Sequence, residues 1–202
     1  MGNELNCTLR HEGKSFTGKA LLESNEILFR GETRLKIPLT AIKSIQANDG
    51  ELHVKTENGI SIFEIGPQDA NWRQKILNPK SVLEKLGIKP AQSASVIGNF
   101  QPDFFVALKK HGAAVTRNKI AKDVPWIFFL ADQPAQLTRV PAIAKSIRGV
   151  TALWLVYPKG QKAITESDVR SAGLKSGLVD IKVVSFSPTH TALKFVLPKS
   201  KR

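Results

Sequence analysis

The sequence predicts two domains of different class. Residues 1–78 read as an antiparallel β-barrel closed by one helix, and residues 79–202 as a small, mostly parallel α/β sheet. Three observations carry this. Short β-type segments separated by hairpin-turn pairs fill the first part. Helical and apolar strand segments alternate through the second. Charge divides at the same place. The first part holds ten Lys and Arg against ten Asp and Glu, and the second twenty against seven, so the whole net charge of +13 lies there.

Composition sets the outer bounds. The 202 residues are 42% hydrophobic, enough for two small cores. Cys7 is the one cysteine, so no internal disulfide exists, and a reducing, cytoplasmic setting is expected. No apolar run is long enough to span a bilayer. The start, "MGNELNCTLR", has no apolar core of a secretory signal, and Asn6 stands where a myristoylation pattern needs Ser or Thr.

In the first part, "NCTLRHE", "SFTGKALLE", "EILFRG", "RLKIPL", "IKSIQA", "ELHVKT" and "ISIFEI" are the expected strands. Asp49-Gly50 and Asn58-Gly59 are hairpin signals, because primed turns need positive φ. Leu52 and Val54 should point inward, and so should Ile60, Ile62 and in part Ile65. After Gly66-Pro67 the period changes. "DANWRQKIL" sets Trp72, Ile76 and Leu77 on one helical face. Seven strands and a closing helix, over roughly Leu5–Leu77, resemble the pleckstrin-homology-like barrel. In that family, phosphoinositide-binding members use Lys and Arg around the first hairpin. Arg10, Lys14 and Lys19 stand there, but Glu12 lies among them, so protein contact or scaffolding is the expected role.

In the second part, Asn78 reads as an N-cap and Pro79 as a first helical residue for "PKSVLEKLG", which Gly87 ends. "SASVIGNF" is a strand ending at Gly98, and "PDFFVALKKHG" a helix burying Phe104, Phe105 and Leu108. "AAVT" is a weak strand and "PWIFFLAD" a strong one. Helical turns follow, restarted at Pro141. "ALWLVYPKG" is a buried strand, and Thr165 with Asp168 forms a capping box for the next helix. "VDIKVVSFS" and "TALKFVL" form a terminal hairpin.

This order resembles the class I methyltransferase fold, a Rossmann-like sheet with a terminal hairpin, though a third strand is missing. "NPKSVLEKLGIKP", "ALWLVYPKG", "ITESDVR", "GLVDIKVVSFS" and "TALKFV" together resemble a family of small bacterial domains of unknown function, related to methyltransferases by fold. That resemblance spans about Pro79–Leu197 and implies no activity. Methyl transfer on this fold needs a glycine-rich first turn and a carboxylate ending the second strand. The turn here is Gly98-Asn99-Phe100, with a bulky ring where space is wanted, and the second strand ends Thr116-Arg117-Asn118.

The candidate site is the carboxyl edge of the sheet. Gly98, Asn99, Asp132, Tyr157, Lys159 and Gly160 should gather there, with Lys159 meeting an anionic ligand, pairing with Asp132, or simply solvated. Lys109, Lys110, Arg117, Lys119 and Lys122, with Lys199, Lys201 and Arg202 of the tail, are the alternative, phosphate-binding set for nucleic acid. Ser185, Ser187 and His190 are close in sequence, but no acid or oxyanion hole completes a hydrolase, so a turn histidine is expected. Cys7 and His11 alone make no zinc site, and no P-loop or nucleophile elbow occurs. The leading expectation is a non-catalytic binding or regulatory protein with no cofactor, its partner a protein or an anionic small molecule. The alternatives are a methyltransferase-like protein that binds S-adenosylmethionine or a nucleotide-type ligand, and a non-specific nucleic-acid binder.

Overall fold

The computed structural model describes residues 3–201. Met1-Gly2 of the N-terminal reading and Arg202 of the basic tail lie outside the described residues. The chain divides into two compact units, Met1–Lys80 and Ser81–Arg202. Among the described residues no helix is long and apolar enough to cross a membrane.

The first unit is one antiparallel sheet of seven strands: β1 (Asn3–His11), β2 (Lys14–Leu22), β3 (Glu26–Gly31), β4 (Arg34–Pro38), β5 (Ser44–Asn48), β6 (Glu51–Thr56) and β7 (Gly59–Glu64). They lie in the order β4-β3-β2-β1-β7-β6-β5. No ladder joins β4 to β5 among the described residues, so the sheet curls without closing by hydrogen bonds. Gly18 and Gly31 face each other across β2 and β3. A Cβ on Gly31 would lie 2.5 Å from the Gly18 Cα, so bare backbone is what lets the strands crowd here. Helix α1 (Asp69–Leu77) inserts Trp72, which is fully buried.

Two sequence expectations shift in this unit. β7 buries Ser61, Phe63 and, just beyond its end, Ile65, while Ile60 is 52% exposed and Ile62 half-buried. The reason is register: Phe63 stands directly opposite Leu9 on one side and Leu52 on the other, and all three are fully buried. Leu77 is largely exposed, because α1 ends there and only Trp72 and Ile76 reach the core.

The second unit is a three-layer α/β sandwich. Its elements are α2 (Val82–Leu86), β8 (Ala94–Ile97), α3 (Pro102–Lys110), β9 (Val115–Arg117), β10 (Trp126–Leu130), α4 (Val140–Ala144), β11 (Ala152–Pro158), α5 (Glu166–Lys175), β12 (Val179–Ser185) and β13 (His190–Val196). The sheet order is β12-β13-β11-β10-β8-β9. β9, β8, β10 and β11 are parallel, and β13 runs antiparallel between β11 and β12.

β10 and β11 are apolar on both faces, and so is β8 but for Ser95, as a sheet covered twice requires. Val96, Phe128, Trp154 and Val156 pack under α2 and α3, whereas Ile97, Phe129, Leu155 and Phe195 pack under α4 and α5. The chain leaves β8 for β9 on one side and returns to β10 on the other, so the strand order reverses beside β8. Crevices form outside the carboxyl ends of strands at such a point.

The cap of α2 is Ser81, not Asn78. Ser81 Oγ accepts the Glu84 N–H at 3.2 Å, and the Glu84 carboxylate accepts the Ser81 N–H at 2.7 Å. The Ser-x-x-Glu box outcompetes Asn-Pro because it satisfies two helix-end donors at once. Ser81→Ala should cost about 1 kcal/mol, read as a lowered urea midpoint for the second unit.

Candidate functional site: a basic crevice at the carboxyl edge

β8 ends at Ile97, and the next residue, Gly98, has a φ of +108°, strained for any other residue. A Cβ there would also stand 3.0 Å from the Leu130 Cβ and 3.2 Å from the Leu130 carbonyl oxygen. Glycine is therefore required by the close approach of β8 to β10. The Phe100 ring does not fill the turn. It is buried, stacks on Phe104 at 5.1 Å between centroids and meets Phe186 edge-on at 5.8 Å. Apolar neighbours draw the ring into the core, and it becomes one wall of a cavity of about 470 Å³.

Gly98, Asn99, Phe105, Arg117 and Asn118 complete most of that cavity. The Arg117 guanidinium lies 3.7 Å above the Phe105 ring. Asn118 sits just past β9 with a φ of +51°, a conformation asparagine tolerates better than most residues. Its backbone N–H donates to the Val96 carbonyl at 2.8 Å, and its Oδ1 accepts the Gly98 N–H at 3.1 Å. The amide that a first-turn cradle would offer a ligand is thus already engaged within the protein.

A second cavity, of about 410 Å³, adjoins the first through Asn118. It is lined by Ile97, Lys119, Thr138, Arg139 and Ile143, among others. Val96 faces α3 and Ile97 faces α4, so the two cavities straddle the end of β8, one on each face of the sheet. The Arg139 guanidinium stands 5.4 Å over the Phe129 ring. No Asp or Glu lines either cavity.

The six residues expected at this edge have separate surroundings. Gly98 and Asn99 line the first cavity. Asp132, just after β10, pairs with His190 rather than Lys159: its Oδ1 is 3.1 Å from His190 Nε2. Tyr157 donates its hydroxyl to Glu166 at 3.1 Å, and burial with that neighbouring carboxylate pushes its pKa up. Lys159 Nζ donates to Ser185 Oγ at 2.8 Å and to the Ser187 carbonyl at 2.6 Å. Burial, then the charge of Lys85, lowers its pKa. Lys159 therefore ties the end of β11 to the β12–β13 turn. Gly160 lies in the following turn, with nothing within 4 Å of where a Cβ would be.

The phosphate-binding set is divided as well. Arg117 and Lys119 reach the crevice. Lys109 and Lys110 close the last turn of α3, at the end opposite Pro102, which lines the first cavity. Lys110 stands eight steps along the helix from Pro102, a rise of roughly 12 Å. Lys122 is exposed and lines neither cavity, and Lys199 and Lys201 lie in a short C-terminal helical turn.

His190 holds a position that sequence spacing alone does not reveal. Besides Asp132, its ring meets Thr189 Oγ1 through Nδ1 at 2.9 Å. Asn118 and Arg139 were also not expected at a site. A polar residue just past a strand end is the available signal for Asn118, whereas nothing local marks Arg139.

In the first unit, the cations near the first hairpin are mostly paired. Arg10 bonds Glu51 and lies 3.2 Å from Glu64, and Lys19 bonds Glu4 at 2.7 Å. Lys14 is exposed at the hairpin. Cys7 is buried in the sheet core, while His11 Nδ1 meets Ser61 Oγ at 2.9 Å.

No family model and no curated protein matches the chain. Among solved structures, the mitomycin 7-O-methyltransferase MmcR aligns at 11% identity over 64% of this chain and 58% of its own, with a TM-score of 0.41. A TehB-like SAM-dependent methyltransferase from Corynebacterium glutamicum aligns at 8% identity over 64% of this chain and 95% of its own, with a TM-score of 0.36. The C-terminal domain of an unknown protein from Leishmania infantum aligns at 16% identity over 38% of this chain and 83% of its own, with a TM-score of 0.33. The chain thus spans little more than half the length of the mitomycin enzyme. Likenesses of this strength assign no chemistry.

Proposed function

We propose that the second unit is a degenerate Rossmann-like module that binds a nucleotide-type small molecule at the carboxyl edge of β8 and β9. The first unit serves as a pleckstrin-homology-like scaffold or protein-contact module. The observation that carries the ligand reading is the cavity of about 470 Å³ placed where the strand order reverses. It offers the Arg117 guanidinium, which lies over the Phe105 ring, as a stacking surface for a planar base. The role is binding or regulatory. Methyl transfer through the usual cradle is disfavoured, because Arg117 and Asn118 stand where a ribose-holding carboxylate belongs and Asn118 already accepts the Gly98 N–H. A nucleic-acid track is disfavoured by the separation of Lys109 and Lys110 from the crevice.

Calorimetry of the full chain against AMP, GMP, CMP, UMP and S-adenosylmethionine tests this. At least one nucleotide should bind. Arg117→Ala should weaken that binding about tenfold or more, the value of one charge-assisted contact. The proposal fails if no nucleotide binds at millimolar concentration. It also fails if S-adenosylmethionine binds more tightly than any of them.

A further inference from the structure

Three cations around the two cavities lack carboxylate partners. Arg117, Lys119 and Arg139 make no ion pair among the described residues. Other cations of the second unit, Lys109, Lys110 and Lys122 among them, are also without an ion pair among the described residues, so what sets these three apart is that they line one crevice. Unmatched cations gathered at one crevice raise its local potential and attract anions.

The two arginines are also held in place. Each lays its guanidinium over an aromatic ring, Arg117 on Phe105 at 3.7 Å and Arg139 on Phe129 at 5.4 Å. Phe129 is fully buried, so the ring under Arg139 is fixed. A ring contact spends none of a guanidinium's N–H donors in a hydrogen bond, so they remain for phosphate oxygens, which arginine can receive in pairs. By contrast, Arg148 spends its donors on the Lys145 and Ile147 carbonyls.

Asn118 joins the cavities. Its Oδ1 is taken by the Gly98 N–H, which leaves its amide NH₂ as a donor between them. A ligand reaching from the first cavity into the second crosses this residue and arrives between Lys119 and Arg139.

We infer that the ligand is a nucleoside carrying a chain of phosphates, with the nucleoside in the first cavity and the phosphates in the second, held by Lys119 and Arg139. This rests on the nucleotide reading above and names the ligand class more narrowly. It also argues against S-adenosylmethionine, whose sulfonium would add positive charge to a crevice that has no carboxylate to offset it.

The test is calorimetry of the full chain at low salt with matched adenosine, guanosine, cytidine and uridine series, each as nucleoside, monophosphate and diphosphate. Inorganic pyrophosphate and a thymidine oligonucleotide complete the set. Within the series that binds, affinity should rise about tenfold for each phosphate. Lys119→Ala and Arg139→Ala, both at exposed positions, should each remove most of that gain, bringing the diphosphate down toward the affinity of its nucleoside. Equal affinity for nucleoside and diphosphate would overturn the inference and leave the nucleotide reading intact. Pyrophosphate binding without any nucleoside contribution would overturn both, and so would binding by no compound of the set. An oligonucleotide that binds more tightly than every diphosphate would replace the inference with a nucleic-acid interface.

Discussion

Trp72→Ala is expected to destabilise the N-terminal unit by about 3–5 kcal/mol, the range for emptying a buried aromatic site. Trp72 is the fully buried residue of α1, with Ile76 only partly buried against the same core. Small domains are stable by only about 5–15 kcal/mol, so a large part of the unit's stability is at stake. Urea unfolding of the full chain, followed by far-UV circular dichroism, should show an early transition that the parent protein lacks. Trp72→Phe separates volume from hydrogen bonding. The Trp72 indole N–H is buried and has no hydrogen-bond partner among the described residues. Phenylalanine keeps an aromatic ring and removes that orphaned donor, so its loss should be well under half that of alanine. If alanine costs less than about 1 kcal/mol, α1 does not close this core.

Gly173→Ala should destabilise the second unit despite better helix propensity. Alanine gains about 1 kcal/mol over glycine in a helix interior. Here the added Cβ would fall 2.1 Å from Phe195 Cε1 and 2.5 Å from two further atoms of the same ring. Phe195 is fully buried on β13, with packed neighbours around it. Overpacking of this kind costs typically 1–3 kcal/mol, and three such contacts place it at the upper end or beyond. A net loss of about 2 kcal/mol is expected, read from the fluorescence of Trp126 and Trp154 during urea unfolding. Adding Phe195→Leu should make the double variant more stable than the sum of the two single losses predicts. A neutral or stabilising Gly173→Ala would mean that α5 can lift from the sheet freely.

Local signals located the strands and helices well where one pattern dominated. The alternation in "ELHVKT" correctly turned Leu52 and Val54 inward. "ISIFEI" carries apolar residues in both phases, so its sequence cannot choose a face. The choice came from cross-strand packing of Phe63 between Leu9 and Leu52. The capping box at Thr165 and Asp168 was legible because all its parts lie within four residues. The Ser81 cap has the same form, but Asn-Pro beside it offered a competing local reading.

The candidate site divided along the same line. Gly98 was legible because a strand followed by glycine marks a turn at a sheet edge. Lys159 was placed at the same edge as a ligand contact, a partner of Asp132 or a solvated residue, and only the folded hairpin shows its ammonium clamped by Ser185 and the Ser187 carbonyl. Phe100 looked like an obstruction until the rings of Phe104 and Phe186 showed where it packs.

By itself the sequence determined the two classes of unit, the order of their elements and the confinement of net positive charge to the second. These follow from periodicity, turn residues and composition, all of which act over a few neighbouring positions. Only the tertiary structure decided which cations are neutralised and which remain unmatched around the crevice. Arg117 and Asn118, at the end of β9, and Arg139, in the helical turn after β10, are brought to one edge of the sheet by parallel crossovers. Coulombic partners and cavities depend on distance through space, and no local pattern records it.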